Sequence, residues 1–229
     1  SDVYKRQVLG VSIVPPYQTY IPYDEYVIPG LVAMIVLFNG MQGSLSMVYD
    51  RELGSMRVLL TSPMPRWFLL ISKLLASTLL SLAQVYVFLL IAWLYGIQLP
   101  PLGYLQVLPA LLISGMMLGG LGLLLSSMIK QLENFAGVMN FIIFPMFFTS
   151  SALYPLWKVA EASPILRDIC DLNPFTYAVE LIRFALYGQF ESVSALVVVA
   201  CTVVFVAGAI VAYDPSKGII TRVRAGAPA

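Results

Sequence analysis

The sequence predicts an all-α fold: a polytopic membrane helix bundle with a charged helix on one side and an amphipathic, partly re-entrant helix on the other. Three observations predict it. Hydrophobic residues make up 59% of the 229 positions and charged residues only 11%, against about 25% charged in soluble domains. So few charges cannot cover a soluble surface, and the mean hydropathy is +0.86. Apolar runs recur at the length of about 20 residues that crosses a bilayer. They place five spans near 27–49, 69–95, 104–128, 134–153 and 193–213. Residues 27–213 then form one transmembrane domain, preceded by 1–26 and followed by a tail at 214–229.

Five spans put the chain ends on opposite sides. One side collects Arg51, Arg57, Arg66, Lys73, Lys130, Lys217, Arg222 and Arg224; the other has Lys5, Arg6, Lys158, Arg167 and Arg183. The basic side is cytoplasmic by the positive-inside rule, so the C-terminus is expected inside, in a plasma membrane of the bacterial inner-membrane type. An N-terminus outside without a signal peptide is anomalous. Residues 1–7 (SDVYKRQ) read as a non-native scar, 8–26 as an outer loop, and the native chain is expected to carry a sixth span upstream.

Between the first two spans lies YDRELGSMRVLLTSPMPR, residues 49–66. Asp50–Leu60 reads as a helix with Leu53, Met56 and Leu60 on one face and Arg51, Glu52, Ser55 and Arg57 around the rest. Pro63 disfavours helix at Ser62 and ends it. The second span places Lys73, Ser77, Ser81 and Gln84 on one helical face. That face suits a translocation path, with Ser77, Ser81 and Gln84 as its candidates, or interhelical hydrogen bonding alone. Lys73 lies near the span's end and can snorkel without a buried partner. The third span carries Gly115, Gly119, Gly122 and Ser126 on one stripe, which reads as close helix packing. In the fourth, Pro145 predicts a kink.

The outer segment 154–192 holds a further helix. Asn173 is an N-cap, Pro174 fits the first helical position and Gly188 stops the helix. Its apolar face is Phe175, Ala178, Leu181, Ile182, Ala185 and Leu186; its polar face is Thr176, Glu180, Arg183 and Tyr187. This amphipathic helix is expected at the interface, as a lid packed on the bundle or as a moving gate. Cys170 and Cys201 lie far apart and imply no disulfide framework.

Several functions are excluded or disfavoured. No Asp, Glu or Arg lies near the middle of a span, where ion-coupled carriers keep their relays. There is no histidine and no intramembrane acid pair for a membrane-embedded enzyme. No TVGYG-like filter is present. No G-x-x-x-x-G-K-[ST] is present, so no P-loop binds ATP here. Energy for transport would have to enter through a protein contact.

RELGSMRVLLTSPMPR resembles the cytoplasmic coupling region of ABC transporter permeases of the type-2 exporter family, roughly R-E-x-G-[ST]-x-x-x-L-x-x-[ST]-P. Arg51, Glu52, Gly54, Ser55, Leu59 or Leu60, Ser62 and Pro63 meet it. DLNPFTYAVELIR resembles the family's outer N-P-[LF]-[TS]-Y helix, through Asn173, Pro174, Phe175, Thr176 and Tyr177. The order of elements also agrees over about 20–213. The departure is at the N-terminus, where the family has a further helix and span.

The resemblance implies a non-enzymatic permease subunit. It would pair with a second permease, identical or not, and with separate ABC ATP-binding subunits that hold ATP and Mg; this chain needs no cofactor. The ATPase-coupling residues would be Arg51, Glu52, Gly54, Ser55, Arg57, Leu60, Ser62 and Pro63. The outer helix or gate would use Asn173, Pro174, Tyr177, Glu180 and Arg183. Partners are membrane lipids and these subunits, with no nucleic acid. The substrate would be a hydrophobic or amphipathic drug, lipid or glycan moved outward. The alternative is a non-transporting scaffold or assembly protein of the same fold.

Overall fold

A computed structural model describes residues 23–52, 66–97, 99–129, 132–156 and 163–212. Seven helices occur among them: α1 Tyr23–Glu52, α2 Arg66–Leu94, α3 Gly103–Met128, α4 Leu132–Phe148, α5 Pro164–Leu172, α6 Pro174–Leu186 and α7 Ser192–Ala212. Four are long and apolar enough to cross a membrane: α1, α2, α3 and α7. The scar and outer loop were expected at 1–26, but α1 already begins at Tyr23; residues 1–22, most of the predicted coupling helix and the tail lie outside the described residues.

α3 sits at the centre and packs on α1, α2, α6 and α7. Its small residues make that possible. A Cβ on Gly40 of α1 would come within 2.8 Å of the Gly119 backbone nitrogen in α3. One on Gly122 would meet Ser44 Oγ at 2.9 Å, and one on Gly115 would meet Thr78 Cγ2 of α2 at 2.7 Å. The stripe read from sequence as a packing seam is therefore divided between two neighbours, α1 and α2. In lipid, where apolar burial gives no net drive between helices, this close approach is what holds a bundle together.

Three further boundaries differ from the sequence reading. The fourth span was expected over 134–153, but α4 is 17 residues long and stops at Phe148, about 25 Å at 1.5 Å per residue. The Thr149 and Ser150 hydroxyls donate to the carbonyls of Pro145 and Phe147, and Asn173 from a later segment takes the Met146 and Thr149 carbonyls, so the end of the helix is satisfied by side chains. The first span was expected to end at 49, with a separate helix starting at Asp50. Instead α1 runs unbroken through Asp50 to Glu52, because Met47–Glu52 holds no Gly or Pro to interrupt it. Finally, α5 was not foreseen. Its Ile165, Ile169 and Leu172 form an exposed apolar face, while Arg167 and Asp171 pair at 3.6 Å on the other. Nine residues are too few for periodicity to stand out in sequence.

Candidate functional site

Two regions carry chemistry. At one end of the bundle α6 is locked in place through the run Asn173–Tyr177. The Asn173 carboxamide oxygen accepts from the Phe175 N–H at 3.0 Å, which is the expected N-cap. Its amide nitrogen also donates to the carbonyls of Met146 at 2.7 Å and Thr149 at 2.9 Å. One side chain thus starts α6 and satisfies the otherwise orphaned end of α4. Pro174 takes the first helical position. Phe175 is fully buried against the Phe147 ring, with centroids 6.3 Å apart. Thr176 Oγ1 and the Tyr177 hydroxyl donate to the carbonyls of Cys170 and Asp171 in the last turn of α5. Each residue of the pattern therefore has its own part in seating α6.

The polar face of α6 departs from expectation. Thr176 and Arg183 were placed on the polar face of an interfacial helix; both are buried, at 2% and 3% exposed. Arg183 donates to Glu180 Oε1 at 2.5 Å and to the Ser151 carbonyl at 2.7 Å. Its guanidinium lies 4.3 Å from the centre of the Tyr26 ring, and the Tyr26 hydroxyl donates to the same Ser151 carbonyl. The helix faces α1, α3 and α7, so the polar stripe closes an inner joint. Burial, with Glu25 adding and Arg183 opposing, pushes the nearby Tyr187 phenol up to about 12, so it remains neutral. Burial first, and Asp171 next, push the Cys170 thiol up.

At the opposite end Lys73 of α2 pairs with Asp50 of α1. Both side chains are half-buried, so the lysine expected to snorkel alone has a partner. Ser77 and Ser81 donate to the carbonyls of Leu74 and Ser77 in their own helix. Ser77 also lies against Gly43 of α1. Gln84 is exposed, and its Oε1 accepts from Asn39 Nδ2 at 2.7 Å. Sequence reasoning missed the α1 half of this arrangement. Asn39, Gln42, Ser46 and Tyr49 recur at three- and four-residue steps, and the last three are exposed. The spacing was a readable signal, masked by the apolar residues between. Arg51 and Glu52 end α1; Gly54, Ser55, Arg57, Leu60, Ser62 and Pro63 lie outside the described residues.

The sequence profile of the family described as ABC-2 type transporter matches residues 6–187. The chain belongs to that family. It is 32% identical over 166 residues to the "Putative transport permease ycf38" of Cyanophora paradoxa, covering 71% of this chain and 56% of that protein. It is 31% identical over 172 residues to the "Probable multidrug ABC transporter permease YbhR" of Escherichia coli K12, covering 73% of this chain and 45% of that one. The ycf38 protein of Porphyra purpurea is 30% identical over 165 residues, 71% and 55% of the two chains. The chain thus spans about half the length of the curated relatives it matches. With this family and four long apolar helices, it is an integral membrane protein. In this ABC-2 chain the matched region includes both the segment between α1 and α2 and the Asn173–Tyr177 lock.

Proposed function

We propose that this chain is the membrane-spanning permease subunit of an ATP-driven exporter. ATP would be hydrolysed in a separate ABC subunit, and a second permease would complete the translocation unit. The observation that carries this reading is the R-E-x-G-S…S-P segment at 51–63, placed between two long apolar helices in a member of the ABC-2 family. The names of two relatives, a multidrug permease and a transport permease, support the transport class. The basic side, with Arg51, Arg57, Arg66 and Lys73, is cytoplasmic in this reading, and α5 and α6 lie at the outer surface.

The mechanism follows from how the α1–α2 pair is built. Segment 53–65 joins two helices fastened at its base by Asp50 and Lys73. A push on the segment therefore moves α1 and α2 as a unit. α1 and α2 both contact α3, and α3 contacts α6, so displacement at one end reaches the lock at the other. Glu52 and Arg57 supply charge-assisted hydrogen bonds to the ATPase, Gly54 permits close approach, and Leu60 is the apolar anchor. The substrate leaves outward and is hydrophobic or amphipathic.

The test is co-purification with the ATPase and substrate-stimulated hydrolysis in proteoliposomes. Glu52→Lys and Gly54→Trp should leave the permease inserted but weaken the contact by about 1–4 kcal/mol, the range of an interfacial anchor. If both variants bind and remain fully stimulated, the segment is only a topology signal.

A further inference from the structure

A polar face runs along the outside of the α1–α2 pair over about half the length of a bilayer crossing. It begins at the Asp50–Lys73 pair and ends at the Asn39–Gln84 pair. Asn39 lies eleven residues from Asp50 in α1, and Gln84 eleven from Lys73 in α2. The two pairs are thus about 16 Å apart at 1.5 Å per residue. Between them α1 exposes Gln42 and Ser46. Among the described residues the Gln42 amide, the Gln84 N–H groups and the Asn39 carbonyl oxygen meet no hydrogen-bond partner. Ser46 is satisfied within its helix by the Gly43 carbonyl.

Lipid cannot cover such a face without cost, because its tails offer no hydrogen bonds. A second helix can hydrogen-bond such polar side chains, but the closest helix packing in lipid relies on small residues, glycine above all. Here Gly40, Gly43, Gly115, Gly119 and Gly122 all face neighbours inside the subunit. The same depth on α2 looks different: Leu79 and Leu80 are 60% and 58% exposed, an ordinary lipid surface. Among the described residues this polar face carries no charge beyond the Asp50–Lys73 pair, and it is lined with carboxamides and a hydroxyl.

Resting on the exporter reading, we propose that this α1–α2 face lines a water-filled path open from the Asp50 end. We infer further that the Asn39–Gln84 pair receives an uncharged, hydrogen-bonding group of an amphiphilic substrate, such as a hydroxyl, amide or glycoside. Carboxamides present both a donor and an acceptor, so they match neutral groups of that kind. The apolar tail of the substrate rides on the neighbouring leucines.

The experiment uses the assembled transporter in vesicles, with Cys170→Ser and Cys201→Ala removing native thiols. Gln42→Cys and Ser46→Cys are compared with the depth-matched Leu80→Cys for reaction with a membrane-impermeant maleimide. Both should label at least about tenfold faster than Leu80→Cys, as expected of water against lipid. Equal rates would overturn the path. So would disulfide formation between the two permeases at Gln42→Cys without labelling, which would make the face a subunit seam. For the ligand class, hydrolysis is measured with alkyl glucoside, alkyl trimethylammonium and alkyl sulfate of equal chain length. The glucoside should stimulate, and Asn39→Leu with Gln84→Leu should abolish that stimulation. Stimulation by the charged amphiphiles alone, or by the glucoside in the double variant as well, overturns the neutral-group assignment. Stimulation of any kind leaves the exporter reading standing, whereas none by any substrate or probe counts against that reading itself.

Discussion

At the residue scale, two side chains connect several elements each, and their replacement separates the roles. Asn173 caps α6 through its oxygen and holds α4 through its nitrogen. Asn173→Asp keeps the acceptor and loses the donor; Asn173→Ala loses both. The cap alone is worth about 0.5–2 kcal/mol, and a lost buried hydrogen bond about 1–3 kcal/mol more when its partner is left dry. Thermal inactivation of the detergent-solubilised protein should therefore rank wild type above Asn173→Asp and Asn173→Asp above Asn173→Ala. Equal loss in both variants would place the whole effect in the anchor to α4. Arg183 is the second case. Its guanidinium is buried between Glu180, the Ser151 carbonyl and the Tyr26 ring. Arg183→Met strands Glu180 and should cost about 3–5 kcal/mol. Adding Glu180→Leu should recover part of that, because the stranded charge is then gone. No recovery in the double variant would show that the Ser151 and Tyr26 contacts matter more than the ion pair.

At the element scale, the α1–α3 contact is governed by backbone proximity. A methyl at Gly40 would collide with the Gly119 and Leu118 backbones, which no side-chain rotation can relieve. Gly40→Ala should thus destabilise the bundle by about 1–3 kcal/mol, as overpacking does. Gly137 in α4 is the control: nothing lies within 4 Å of a Cβ there. Gly137→Ala should be neutral or raise stability by up to about 1 kcal/mol through helix propensity. If the two substitutions shift the unfolding midpoint alike, intrinsic propensity governs and the close-packing account fails. What could be read in sequence at this scale follows a physical rule. The ends of α6 were legible because Asn173, Pro174 and Gly188 act locally, the last at φ +72°. The end of α4 was not, because Ala152, Leu153 and Tyr154 resume apolar character after the short Thr149–Ser151 run, and Asn173, which takes the Met146 and Thr149 carbonyls, comes from a later segment. The inward turn of Arg183 was also hidden: amphipathicity says which residues share a face, but tertiary packing decides what that face meets.

At the scale of the whole molecule, the bundle and its family were legible, because span length and the two motifs depend on short stretches of chain. The polar α1–α2 face was only half legible, since its other half lies 45 residues away at Asn39 and only folding brings it to Gln84. Sidedness is the remaining property on which the proposed function depends. Apart from Lys73, the basic residues assigned to the Asp50 end lie at helix ends (Arg51 and Arg66), in connecting segments or in the tail, where the positive-inside rule has its force. Arg167, Asp168 and Asp171 of α5 lie at the other end. Arg57→Cys should therefore react with an impermeant maleimide only in inside-out vesicles, and so should a thiol appended after Ala229. Asp168→Cys should react only in right-side-out vesicles. The comparison is internal, because one preparation of each kind reports all three positions. The reverse pattern would put segment 53–65 outside, where no ATP-hydrolysing subunit could grip it, and would remove the mechanical route from ATP to α1 and α2. Reaction of Arg57→Cys and the C-terminal thiol on opposite sides would instead mean that α4, with its 17 residues, fails to cross. The chain would then have four crossings, and the charge bias of its tail would no longer bear on where the coupling segment lies.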